Sequence, residues 1–494
     1  MCFLIVVVSC IDKQNEQQNK KDRVGLHETA KNHFALGVNL KQKNPRRAIE
    51  EFRNAILIDQ LYFKAHLEYI YLMKNQGRFN QVINEYHEKI KQNPEDEIYH
   101  YLMGQILEEI EDKIEEYQKA IEINPDYYQA HLSLGNCYKA KGEIKKAIYH
   151  LKEVVRINPN HEETHRLLGE MVYGEQAKIN EAIHHLKEVV RINPKDASSY
   201  VNLGVTYSEQ GRIEEAIKMY ERAISINPNL FEAHVNLGLV YSRHGELDKA
   251  IEVYQEVTRI NPNDEYSRYD LGTFYQQQGN TDQAVYHMQE VIRINPDFLQ
   301  AHYNLGSIYN KQGNTDQAVY HMQEVIRINP DFLQAHYNLG SIYNKQENID
   351  QAIHHIQEAI RINPNHEKSH LMLADIAYGK IRKIDKAIYH LKEAILVNPD
   401  STSAHYNLAL IYANKGLMDE AINHLNETIR IDPEYGKGHY NLARIYSLNN
   451  QKSLAIRSLR QAIGLVGHEA TELSKIDTAF DNIREDKDFS ELLK

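Results

Sequence analysis

The sequence predicts an all-α fold: a right-handed superhelical solenoid of about thirteen antiparallel helix-turn-helix hairpins, ended by C-terminal capping helices. Three observations carry this expectation. Eleven of the twelve prolines, from Pro94 to Pro433, lie 31 to 35 residues apart, with seven of the ten intervals equal to 34. Between them, two blocks of apolar residues recur at helical spacing. A glycine in the first block is followed, twelve residues later, by an alanine in the second. A fixed period of this length marks an array in which one small unit stacks on copies of itself.

Each of the eleven prolines follows Asn or Asp. Proline pushes the residue before it out of the α region, so each one stops a helix. In the period that ends at Pro330, Leu305, Ile308 and Tyr309 share one face of a first helix. Ala318, Met322, Val325 and Ile326 share one face of a second helix. Gly313-Asn314 supplies the turn between them. Gly306 and Ala318 are small enough to let the two helices approach closely, and the pairing recurs at Gly135/Ala147, Gly204/Ala216, Gly238/Ala250, Gly272/Ala284 and Gly340/Ala352.

These residues resemble the tetratricopeptide repeat family, in the pattern Leu-Gly-x-x-Tyr, then Ala, then Pro. The resemblance covers roughly residues 30–469. Departures are a short repeat ending at Pro125, long repeats ending at Pro194 and Pro399, Ala374, Ala409 and Ala443 in place of the glycine, and Gln60 where the first repeat's proline would stand. Histidine replaces the family's frequent tryptophan, as in the superhelical half of O-GlcNAc transferase. Residues 278–312 recur identically as 312–346, so any ligand meets two identical units there.

The chain begins MCFLIVVVS, followed by Cys10. That run is too short to span a bilayer. Val7 to Cys10 resembles a bacterial lipobox, which implies lipidation at Cys10, although no Lys or Arg precedes the apolar run as in an ordinary signal segment. The expected organisation is a lipoprotein-type signal segment at 1–10 and a polar tether with the start of the array at 11–29. The repeats follow at 30–469 and capping helices at 470–494. Leu473, Ile476, Phe480 and Ile483 fall on one face of an amphipathic cap, which covers the last hairpin's apolar side. A lipidated Cys10 implies a membrane-anchored protein of the cell envelope; otherwise the chain is cytoplasmic.

With 57 Lys+Arg against 69 Asp+Glu, the net charge is −12, which excludes a generally basic, nucleic-acid-coating surface. Three cysteines are too few for a disulfide framework or a four-cysteine zinc site. His161 to His165 and His366 to His370 match the HExxH zinc-protease spacing. The second histidine of each belongs to a column of ten, His66, His100, His131, His165, His234, His302, His336, His370, His405 and His439, most of which lack that context. A second column holds His150, His185, His287, His321, His355, His390 and His424. Both columns read as packing and hydrogen bonding between neighbouring hairpins. No catalytic residue, metal or cofactor is expected, and Arg259, Arg293, Arg327 and Arg361 read as a solvated face.

The binding surface is expected along the first helices, which line the concave groove in this family. Asn202, Asn236, Asn304, Asn338, Asn407 and Asn441 stand two residues before the small Gly/Ala, with Asp270 interrupting them. A side-chain amide can pair with both the N–H and the C=O of an extended peptide, as the resemblance to the O-GlcNAc transferase superhelix implies. Tyr269, Tyr303, Tyr337, Tyr406 and Tyr440 lie beside them as rigid amphipathic surfaces. Asn and Tyr are also common family choices at these places. A carboxylate clamp for acidic chaperone tails needs lysines and an arginine where this chain has mostly Tyr, Val and Leu. The expected function is a non-enzymatic, monomeric scaffold for proteins or extended peptides, without nucleic acid. The alternative is a self-assembling envelope element, and an enzyme is the remote third reading.

Overall fold

The structure, a computed structural model, describes residues 27–60, 62–173 and 179–494. Cys10 and the signal-like segment lie outside the described residues. Among the described residues every regular element is helical. The chain divides into two compact units at Gly245.

In the first unit six helix pairs run from residues 27–40 and Pro45–Ile58 to Ala197–Glu209 and Ile213–Ile226, and the helix Phe231–Arg243 follows. The second unit opens with Leu247–Ile260. It continues through six pairs, from Glu265–Gln278 and Thr281–Ile294 to Gly436–Leu448 and Lys452–Val466. Within each unit most first helices pack chiefly on the second helix of their own pair, and that second helix packs less closely on the next first helix; Phe63–Asn75 is an exception, packing more closely on Pro45–Ile58 than on Phe79–Gln92.

The prolines act as expected. Asn295 and Asn329, just before Pro296 and Pro330, are extended (φ −129° and −136°), and their N–H groups close the last helical turn onto Val291 and Val325. Gly279 and Gly313 take left-handed φ values of 85° and 77° at the end of the first helix. Glu347 holds the same place one repeat on at φ 62° and bears the cost of a side chain there. The small-residue pairs mark close approach. A β-carbon on Gly306 would lie 3.3 Å from the Ala318 carbonyl oxygen, and one on Gly340 would lie 3.2 Å from that of Ala352 and collide with Ile356.

The core is a succession of local clusters. Phe52, Tyr69, Met73, Tyr86 and Leu102 form one of them, and Leu391, Leu408, Leu425 and Leu442 form another. The extra residue of the long repeat ending at Pro399 is absorbed by one π-helical turn, Ile376–Lys380, with the Ile381 N–H reaching the Ile376 carbonyl. The corresponding stretch of the repeat ending at Pro194 is 171–175, of which 174 and 175 lie outside the described residues.

The cap departs from expectation. Asp477 is extended and its carboxylate accepts from the Ala479 N–H, which ends the helix His468–Ile476 and starts a 3₁₀ turn, Thr478–Ile483. Phe480, Ile483 and Phe489 are buried against Leu459 and Ala455, whereas Leu473 and Ile476 face solvent. Capping helices were expected here with Leu473, Ile476, Phe480 and Ile483 on one apolar face; the aspartate splits that run, and only Phe480 and Ile483 of the four are buried.

The late arginines are exposed but tethered. Arg327 bonds Asp297 and Glu324, and Arg361 bonds Asp331 and Glu358, at 2.6 to 2.8 Å. Each thus ties the end of a second helix to the turn that opens its own hairpin. Exposed pairs contribute little because water screens them. Arg361→Ala should therefore leave the urea-melt midpoint close to that of the parent; a clear fall in the midpoint would show that the tether is structural.

Candidate functional site

The two histidine columns meet inside six of the hairpins. His302 on Leu299–Gln312 faces His321 on Thr315–Ile328 with Nδ1 to Nδ1 at 3.0 Å. The same contact joins His131/His150, His165/His185, His336/His355, His370/His390 and His405/His424 at 2.9 to 3.2 Å. The first histidine also turns Nε2 to the carbonyl of the repeat proline six residues earlier, 3.1 Å for His302 and Pro296. A carbonyl only accepts, so Nε2 carries the hydrogen and Nδ1 accepts from the Nδ1–H of the second histidine. The second ring stacks on a tyrosine, Tyr309 on His321 and Tyr343 on His355. Sequence reasoning put these bonds between neighbouring hairpins. The ring pairs lie within a hairpin, and only the proline bond reaches back to the preceding turn.

This arrangement accounts for the HExxH spacing. Both ring nitrogens of His165 and of His370 are engaged, with His185 and Pro159 in one case and His390 and Pro364 in the other. His161 Nδ1 lies 2.8 Å from the Thr164 hydroxyl. Near the N-terminus, Gln60 supplies to His66 the carbonyl that proline supplies elsewhere. At one hairpin Arg268 replaces the first histidine and donates to the Pro262 carbonyl, which leaves His287 Nδ1 buried without a hydrogen-bond partner. Burial pushes His150, His185, His287, His321, His355, His390 and His424 down to about 4.

The six asparagines stand on first helices, and the structure divides them. Asn304 Nδ2 donates to the Tyr269 hydroxyl at 3.1 Å and Asn441 Nδ2 to Tyr406 at 2.9 Å, each tyrosine coming from the preceding repeat. Asn236 and Asn338 are half-buried, while Asn202 and Asn407 are exposed. Among the described residues these four make no side-chain hydrogen bond. The tyrosines are half-buried, and their rings pack in the joint to the next repeat: Tyr269 on Phe298, Tyr303 on Phe332, Tyr337 on His366, Tyr406 on Tyr435 and Tyr440 on Phe480. Burial raises Tyr269, Tyr337 and Tyr406, and burial with Asp477 alongside pushes Tyr440 up to about 12.

Two clefts open where the exposed asparagines stand. Gly169, Glu170, Leu186, Asn202, Val205 and Thr206 line one, in the first unit. Ala374, Asp375, Tyr378, Leu391, Asn407, Leu410 and Ile411 line the other, in the second. The carboxylates, Glu170 and Asp375, were missed by sequence reasoning. Their signal was present in the spacing, because both sit in the 35-residue repeats.

Sequence models of a TPR repeat match residues 171–211, 206–245, 243–279, 274–313, 306–347 and 383–416. Models described as tetratricopeptide repeat match 333–366, 402–435 and 436–465. Together these span more than half of the chain. Residues 95–173 match a model described as regulator of microtubule dynamics protein 1-3. No curated protein matches the chain. Among solved structures, MamA is 30% identical over 34% of this chain and 92% of its own, at a TM-score of 0.33. YrrB, described as a TPR protein with an unusual peptide-binding site, is 23% identical over 37% of this chain and 95% of its own, at 0.34. The APC/C hetero-tetramer Cut9-Hcn1 is 16% identical over 88% of this chain and 94% of its own, at 0.35. The chain belongs to the tetratricopeptide repeat family, whose stacked helix pairs are scaffolds for protein-protein interaction.

Proposed function

We propose that this protein is a non-enzymatic scaffold that holds extended peptide segments along its first helices. The observation that carries the reading is the state of the asparagines. Among the described residues Asn202, Asn236, Asn338 and Asn407 have no side-chain hydrogen-bond partner, while Tyr269 and Tyr406 hold Asn304 and Asn441 by the amide nitrogen. An amide without an internal partner offers two donor hydrogens and one acceptor oxygen. It can therefore hold both backbone groups of an extended residue and select for extended backbone over any one side chain.

The test is affinity capture with the full chain beside a variant carrying Ala at all six asparagines, after both show equal helicity and melting. The expected result is retention of extended-segment partners by the parent and a loss of about tenfold or more in the variant, since each neutral hydrogen bond contributes about 0.5 to 1.5 kcal/mol. Identical partners and affinities on both baits would move the binding surface to the second helices.

A further inference from the structure

The two clefts are one device built twice. Six lining residues of each correspond at an offset of 205: Gly169 to Ala374, Glu170 to Asp375, Leu186 to Leu391, Asn202 to Asn407, Val205 to Leu410 and Thr206 to Ile411, and Tyr378 lines the second cleft besides. Each lies between consecutive first helices and follows one of the two 35-residue repeats. At two other joints a tyrosine hydroxyl bonds the asparagine of the next repeat, Tyr269 to Asn304 and Tyr406 to Asn441. The residues at the tyrosine's place ahead of the clefts are Arg166 and Leu371. Arg166 is drawn away by Glu162 and by Asp196 at 3.0 Å, and Leu371 has no polar group to offer. The asparagines therefore stay exposed over open clefts.

The chemistry of the lining is specific. Leu186 with Val205, and Leu391 with Leu410, give each cleft an aliphatic interior. At the mouth stand one carboxylate and one amide. Glu170 and Asp375 are exposed, and among the described residues neither has an ion-pair or hydrogen-bond partner. This contrasts with the many acidic residues of the chain held by lysine or arginine one turn away or across a hairpin.

We infer that each cleft takes a lysine side chain of the extended segment laid along the first helices, with its methylene stem on the leucine and its ammonium between the carboxylate and the asparagine Oδ1. This rests on the peptide-binding reading above and adds the partner's composition: a segment bearing lysine, attracted to a chain of net charge −12. Lysine fits because its apolar stem and compact three-donor head match an aliphatic slot with two acceptors at its rim. The planar guanidinium of arginine, with five donors in a fixed fork, is left with unpaired N–H groups in such a slot. The asparagine Nδ2 remains free to donate to a backbone carbonyl of the same segment.

The experiment presents the immobilised full chain with a library of acetylated decapeptides in which every position is Ser, Lys, norleucine, Arg or Glu, and sequences the retained pool. Three proteins are compared: the parent, the Glu170→Gln/Asp375→Asn double variant and the six-asparagine variant, all with matched melting. The expected result is enrichment of lysine over norleucine by about threefold or more on the parent, the size of a partly exposed ion pair, and loss of that preference in the double variant. Equal enrichment of lysine and norleucine overturns the assignment, as does a lysine preference that survives in the double variant. Arginine enriched above lysine also overturns it. If the six-asparagine variant retains the same pool as the parent, the peptide-binding reading itself falls. If it loses the pool while lysine and norleucine are enriched alike on the parent, only the lysine assignment falls.

Discussion

Acidification from pH 6.5 towards pH 4 is expected to destabilise the array steeply, before the carboxylates titrate. The histidines of the second column are held at about 4 in the folded chain, chiefly by burial and secondarily, in the dyads, by the neighbouring histidine. In the unfolded chain they titrate near 6.5. Between those values the unfolded state binds protons that the folded state refuses, so stability is intact above about 6.5 and falls as pH drops towards 4. One unit of pKa separation corresponds to about 1.4 kcal/mol. A single buried member such as His321 then withdraws about 3 kcal/mol by the bottom of the window.

The dyad geometry tempers this without reversing it. A second-column ring can gain its proton at Nε2 and still donate from Nδ1, so the ring-to-ring bond survives the first protonation while the charge remains buried. Nearby glutamates, Glu153 for His150 and Glu324 for His321, oppose the shift and are outweighed by burial. Urea unfolding at pH 7.5, 6, 5 and 4.5, followed by circular dichroism, reads the effect. A midpoint that stays level from pH 7.5 to 5 would falsify the dyad account.

Phe480→Ala is expected to cost about 3 to 5 kcal/mol and to spend that loss locally. Phe480 is fully buried and touches Phe489 and the edge of Tyr440, within the cluster of Ala443, Ala455 and Leu459 that closes the last hairpin. In an array whose units contact mainly their neighbours, removing a terminal contact frees the terminal unit first. Hydrogen exchange should show lost protection over residues 436–494, with residues 45–123 unchanged. Equal loss in both regions would mean that the chain melts as one cooperative body.

The helical repeat was legible without coordinates because proline spacing and helical periodicity are local properties of the chain. Proline stops a helix wherever it stands, and a run such as Leu305, Ile308 and Tyr309 shares a face by helix geometry alone. The Gly306/Ala318 approach was legible for the same reason, since small residues at a fixed spacing meet in a hairpin. The asparagine and tyrosine positions could be placed on first helices from their offset to the glycine.

Only the tertiary structure decided what those side chains do. The two histidine columns are nineteen or twenty residues apart in sequence, and nothing local says that His302 Nδ1 meets His321 Nδ1 or that Pro296 fixes the tautomer. The split of the asparagines cannot be read from the preceding repeat's residue alone: Tyr269 holds Asn304, Tyr303 at the same place makes no such bond to Asn338, and Arg166, paired with Asp196, leaves Asn202 exposed. The clefts at Asn202 and Asn407 required two helices and a one-residue insertion to be seen together. Aspartate capping at residue 477 overrode the apolar periodicity of the cap, because one side-chain bond to the Ala479 N–H outweighed continuation of the helix. Periodicity determined which residues lie on which helix; the partners of the polar atoms were set by packing within and between hairpins.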